Sequence, residues 1–178
     1  MLVYLFIILA FLFRFLPYHP LGFTPMAASL LFFGAYGSRR QAWIPLALMA
    51  ASDVILTKFV YGYPFTWDNY VTFAWYAGIL WLGTNLRGNS KPLRVIVAAL
   101  ASSVSFFIIS NFAVWAAWPD LYPRTVAGLM TCYAAGVPFF RRAVCGDLLF
   151  TSVMFGTPII LHLISKSFER EGNPTAAA

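Results

Sequence analysis

Residues 95–118 read VIVAALASSVSFFIISNFAVWAAW, 24 residues without a formal charge. At about 1.5 Å of rise per residue, a helix of that length crosses the roughly 30 Å of hydrocarbon in a bilayer. A barrel strand would alternate apolar and polar positions, and this run does not. It reads as a membrane helix. Outward from it in both directions lie further apolar pieces, at 2–16, 23–36, 43–57, 70–86, 126–140 and 144–165. Proline, glycine and charge clusters separate them. The pattern predicts an all-α polytopic transmembrane helical bundle of seven spans, with six as the alternative. Several pieces are short for a span, so they tilt or are re-entrant where protein buries their ends. Met1–Phe13 has no basic segment before it and no small-residue cleavage site after it, so it reads as a retained first span. Residues 1–166 are expected to form a single transmembrane domain and residues 167–178 a short polar tail.

Composition agrees. The chain is 61% hydrophobic and 10% charged, against about 25% charged residues in soluble domains. That excludes a soluble globular domain, a disordered chain and a DNA-binding module, since no soluble fold of this size hides so much apolar surface. The net charge of +6 sits in the short gaps, as the positive-inside rule expects, and calls for no nucleic acid. With seven spans, Arg39, Arg40, Arg87, Lys91, Arg94, Arg141 and Arg142 share one side. Arg14, Lys58 and Arg124, with Lys166 and Arg170 in the tail, share the other. The first side is then cytoplasmic, with the N-terminus inside and the C-terminus outside. The expected location is a bacterial inner (cytoplasmic) membrane, multi-pass, with the lipid bilayer as first partner.

The other gaps are rich in aromatics and prolines: 17–20, 61–67 and 118–123. They read either as an interfacial belt or as the rim of a binding cavity. Phe15-Leu16-Pro17, Thr24-Pro25 and Arg39-Arg40 are echoed by Ala117-Trp118-Pro119, Thr125-Val126 and Arg141-Arg142. One reading is a parallel repeat of three spans, a linking span and three spans, as in some transporters. The other is that membrane loops share Pro, Thr and Arg for general reasons.

Ionisable residues inside apolar helices are costly and are therefore functional candidates. Asp53 follows Ala50-Ala51-Ser52 deep in a span and is either paired, with Lys58 in reach, or a ligand contact. Asp147 lies close to Arg141 and Arg142 and reads as an ion pair with them or with the Arg39-Arg40 loop. Asn111 and Trp115 share a helix face at i, i+4, where an amide beside an indole can hold a small ligand; an interhelical hydrogen bond is the plainer alternative. Asn85 reads as a cap. Cys132 and Cys145 read as buried packing residues. Ala47 and Ala51, and Ala98 and Ser102, form small-residue pairs that let helices approach within the chain or at a partner. No nucleotide-binding loop, metal-ligand set or nucleophile elbow is present, so no enzyme activity, cofactor or metal is expected. Energy for transport would come from a gradient or a partner.

The residues Phe23-Thr24-Pro25-Met26-Ala27-Ala28, Gly34-Ala35-Tyr36, Ser52-Asp53, Ser110-Asn111-Phe112-Ala113-Val114-Trp115, Cys132-Tyr133-Ala134-Ala135 and Gly146-Asp147 together resemble an uncharacterised family of small bacterial membrane transport proteins. The resemblance runs from about Arg14 to Gly156. That family is in turn similar to the substrate-binding S components of energy-coupling factor transporters. The resemblance implies a small helical bundle, usually of six spans, that holds a vitamin-like micronutrient near the outer face. It also implies docking, through small-residue faces such as Ala47 and Ala51, onto a transmembrane coupling protein bearing ATPases. S components keep both termini in the cytoplasm, unlike the charge count above. The expected function is substrate capture of a small molecule without an ATPase of its own. The expected site is Asn111, Trp115, Asp53, Thr24, His19, Tyr122 and Trp67, suited to a flat, weakly charged ligand. The alternative is an accessory structural subunit of a larger membrane complex.

Overall fold

The computed structural model describes residues 1–16 and 22–172. The described residues form an all-α bundle: α1 (Leu2–Phe13), α2 (Met26–Tyr36), α3 (Trp43–Ile55), α4 (Asp68–Thr84), α5 (Pro92–Ala117) and α6 (Val126–Gly172). A 3-10 turn at Arg39–Gln41 leads into α3, and α3 runs on as a π-helical segment, Leu56–Val60. Three stretches are long and apolar enough to cross a membrane: Arg39–Val60, Pro92–Ala117 and Val126–Phe168. By length and composition this marks the chain as a membrane protein.

The surface supports the same conclusion. Leu5, Ile8, Trp43, Trp81, Leu93 and Ile108 are exposed, while Ser29, Ser52, Ser102, Ser103 and Asp147 are buried. An apolar exterior around a partly polar interior is stable where the surrounding solvent is lipid.

α2 is the centre of the bundle. Met26 through Ala35 are all buried, as expected of a helix that is apolar on every side. It has 11 residues, about 16 Å of helix, so the piece read as a span is a short core helix. Its last carbonyls lie inside protein and need donors. Arg87 supplies them: Nε donates to the Gly34 carbonyl and Nη2 to the Gly37 carbonyl, both at 2.7 Å. A cation there also suits the negative end of the helix dipole. α2 meets α4 where Gly34 lies against Gly83. A Cβ on Gly34 would fall 2.8 Å from the Gly83 Cα, so only glycine permits this crossing.

α5 and α6 form an antiparallel pair. Asn111 lies against Cys132 and Gly136, Phe107 against Tyr133 and Phe140, and Ser103 against Asp147. The two apolar pieces 126–140 and 144–165 are one helix of 47 residues, which corrects the seven-piece count to six helices. Arg141 and Arg142 interrupt the hydrophobicity but not the backbone, because arginine is a good helix former. Pro138 and Pro158 also lie inside α6 without ending it. The helix continues past position 167, where the tail was expected to begin, to Gly172.

The repeat reading fails for the same reason. Arg39-Arg40 occupy a turn between two helices, whereas Arg141-Arg142 lie within one. Cys132 is buried as expected, but Cys145 is exposed. Asn85 does cap α4 at its C-terminal end. Ala98 and Ser102 are buried and pack within the chain. Ala47 and Ala51 are exposed on α3.

Candidate functional site

Between α4, α5 and α6, bounded below by Arg14, Gly22, Thr24, the start of α2 and Asp53 of α3, lies a cavity of about 460 Å³. Three of its sides are aromatic: Trp75 and Tyr76 from α4, Phe106 and Phe107 from α5, Phe139 and Phe140 from α6. Its polar lining includes Thr24, Asn69, Thr72, Ser110 and Asn111. Arg14, Asp53 and Asp147 complete it and are its charged groups among the described residues.

Asp53 is held on both oxygens. Arg14 Nη2 pairs with Oδ1, and the Tyr76 hydroxyl donates to Oδ2 at 2.5 Å. Arg14 Nη1 also reaches Ser52 Oγ and Met26 Sδ, each at 2.8 Å. Ser52 in turn donates to the Met49 carbonyl at 2.7 Å. The cluster therefore joins the end of α1 to α2, α3 and α4. Buried ions demand this much: each must find an opposite charge and enough hydrogen bonds to replace water. The expected partner Lys58 lies elsewhere, 5.9 Å from the centre of the Phe65 ring. Five residues further on, it is in the π-helical segment that follows Asp53's helix.

Asp147 is different. It is 7% exposed and accepts a hydrogen bond from Ser103 Oγ at 2.6 Å. It makes no ion pair among the described residues, which corrects the expectation of an arginine partner. Arg141 and Arg142 are exposed on α6, whereas Asp147 faces inward, because five or six residues along a helix of 3.6 per turn change the face.

Asn111 lines the cavity, with Nδ2 donating to the Phe107 carbonyl at 2.8 Å. Its side chain fills the space a Cβ on Gly136 would need, so glycine there is what brings α5 and α6 this close. Trp115 is not among the lining residues. Its Nε1 donates to the Pro123 carbonyl at 3.0 Å and ties α5 to the following loop. Tyr122 in that loop and Trp67 before α4 also lie apart from the cavity. His19 lies outside the described residues. The structure thus brings together Asn111, Asp53 and Thr24, and leaves Trp115, Tyr122 and Trp67 on the connecting loops or the helix ends.

Arg14, Tyr76 and Ser103 were not among the expected site residues. Arg14 has a readable signal: it is the one base between a short apolar run and a proline, and was counted with the loop charges. Tyr76 and Ser103 carry no such mark in an aromatic-rich, serine-rich chain.

No curated protein and no solved structure matches this chain. A family description matches residues 1–169, nearly the whole length. The chain belongs to that family, DUF6580, a family of unknown function.

Proposed function

We propose that the protein is a substrate-capture subunit of a multi-pass bacterial inner-membrane transport system, holding a small molecule in the cavity between α4, α5 and α6. The carrying observation is that cavity: about 460 Å³, walled by aromatic rings, with a few convergent polar groups. Sites for small organic molecules have this size and character. No step of chemistry on the ligand is assigned to it, and the energy for transport comes from a partner or an ion gradient. An S-component-like role fits the size of the chain and the six helices.

Ala47 and Ala51 are exposed one turn apart on α3. That small-residue face suits a helix of a transmembrane coupling protein. It is also the observation that favours the second reading, an accessory subunit in a larger complex, and the two readings differ in whether the cavity is filled.

The test is purification in a mild detergent followed by mass spectrometry of what comes with the protein. Capture predicts a small molecule, together with an ATPase-bearing membrane partner where a partner and not a gradient supplies the energy. A membrane complex with no small molecule supports the accessory reading instead.

A further inference from the structure

The charged groups lining the cavity do not balance. Arg14 is matched by Asp53, whose second oxygen is taken by Tyr76. Asp147 has the Ser103 hydroxyl and, among the described residues, no cation. Ionised, the lining therefore carries one net negative charge, at a buried carboxylate open to a water-sized space. A buried carboxylate without a counter-ion is unfavourable, and a cation entering the cavity relieves it. Arg14 cannot offer the same to an anion, because both its terminal nitrogens are engaged by Asp53, Ser52 and Met26.

We infer that the cavity selects an organic monocation with a flat aromatic body, its ammonium group seated against Asp147. This rests on the capture reading and adds the class of ligand to it. The walls fit the rest of such a molecule. Trp75 packs on Phe106 and Phe107 on Phe140, each pair with ring centres 4.7 Å apart, and together the pairs present aromatic surface to the cavity. Aromatic faces attract both a cation and a flat ring. No group of three or more His, Cys, Asp or Glu side chains, the set a transition-metal ion takes, occurs among the described residues. Ser103 holds Oδ2 and so sets the direction of the carboxylate. Asn111 and Ser110, further along α5, are placed to meet a polar group at the far end of the ligand.

Three probes of nearly equal shape test the charge: tryptamine, tryptophol and indole-3-acetate, titrated by calorimetry into the full chain in mild detergent. The expected result is that tryptamine binds at least about tenfold more tightly than tryptophol, which is one factor of ten in an equilibrium constant. Indole-3-acetate binds most weakly. Asp147→Asn, which keeps the shape, brings tryptamine and tryptophol to within about twofold. Preference for tryptophol or the acid, or an undiminished tryptamine preference in Asp147→Asn, overturns the inference. If that variant fails to fold, the wild-type order of the three probes still decides. Binding of the neutral or acidic probe in the cavity would leave capture standing and remove only the cation. Failure of all three overturns the inference for aromatic monocations, and the cargo recovered with the purified protein then decides capture separately.

Discussion

Asp53 and Asp147 are both carboxylates inside apolar helices, and their neighbours give them different work. Asp53 is part of a closed ion-pair cluster with Arg14, Tyr76 and Ser52. Removing one member leaves the other as an uncompensated buried charge. Arg14→Met is therefore expected to destabilise the protein by about 3 kcal/mol, the low end for breaking a buried pair, since the two side chains keep 12% and 13% exposure. The double variant Arg14→Met with Asp53→Leu should recover much of that loss. Unfolding in detergent for the two single variants and the double measures the coupling, and simple additivity would show that the pair is not the linchpin described. From sequence, both aspartates stood out because charge is rare in this chain. Their partners did not. Sequence position put Lys58 in reach of Asp53, and Arg141, Arg142 or the Arg39-Arg40 loop in reach of Asp147. The fold instead brought Arg14 across from α1 and left Asp147 with a serine. Pairing in a bundle depends on which helix faces which, and periodicity within one helix does not carry that information.

At the scale of elements, the crossing of α2 and α4 shows how a polar-free contact is specified. Gly34 and Gly83 face each other with no room for a side chain between the backbones. Gly78, on the same helix as Gly83, has open space where a Cβ would be. Gly34→Val is expected to lower the unfolding temperature or prevent assembly, because the helices must separate to admit it. Gly78→Ala is expected to raise stability by roughly 0.5–1 kcal/mol, the ordinary gain from replacing a mid-helix glycine. Equal effects from the two would contradict the close packing. The existence of most helices was legible in the sequence, and the run at 95–118 matches α5 closely. Two features were not. α2 is short and wholly buried, and hydrophobicity alone does not distinguish a buried core helix from a lipid-facing span. α6 is continuous through Arg141-Arg142, because a change of polarity is not a break in helix propensity.

For the whole molecule, six helices change the topology. The six helices alternate in direction, so Met1 and the end of α6 lie at one end of the bundle, although α2 alone is too short to span the hydrocarbon. Lys166 and Arg170 then join Arg39, Arg40, Arg87, Lys91 and Arg94, against Arg14, Lys58 and Arg124 opposite. This arrangement puts the basic tail on the more basic side, while Arg141 and Arg142, exposed within α6, no longer belong to either set of loops. A reporter fused after Ala178 is expected to be active in the cytoplasm. A reporter active on the outer side would contradict the six-crossing arrangement. The same six helices leave between them the space on which the functional proposal depends. Asn111, Asp53 and Thr24 were readable as members of the site because polar residues are scarce in this chain. Trp67 and Tyr122 were drawn in by the aromatic loops they sit in and Trp115 by its i, i+4 spacing from Asn111, and the fold places all three at or beside helix ends.

The most direct measurement of that proposal is native mass spectrometry of the protein released from mild detergent, compared with Ala143→Trp. Ala143 lines the cavity, and an indole in its place fills much of it. The account predicts one small molecule bound per chain in the natural protein and none in the filled variant. A natural protein that carries no small molecule, or an adduct that persists unchanged in Ala143→Trp, would contradict it.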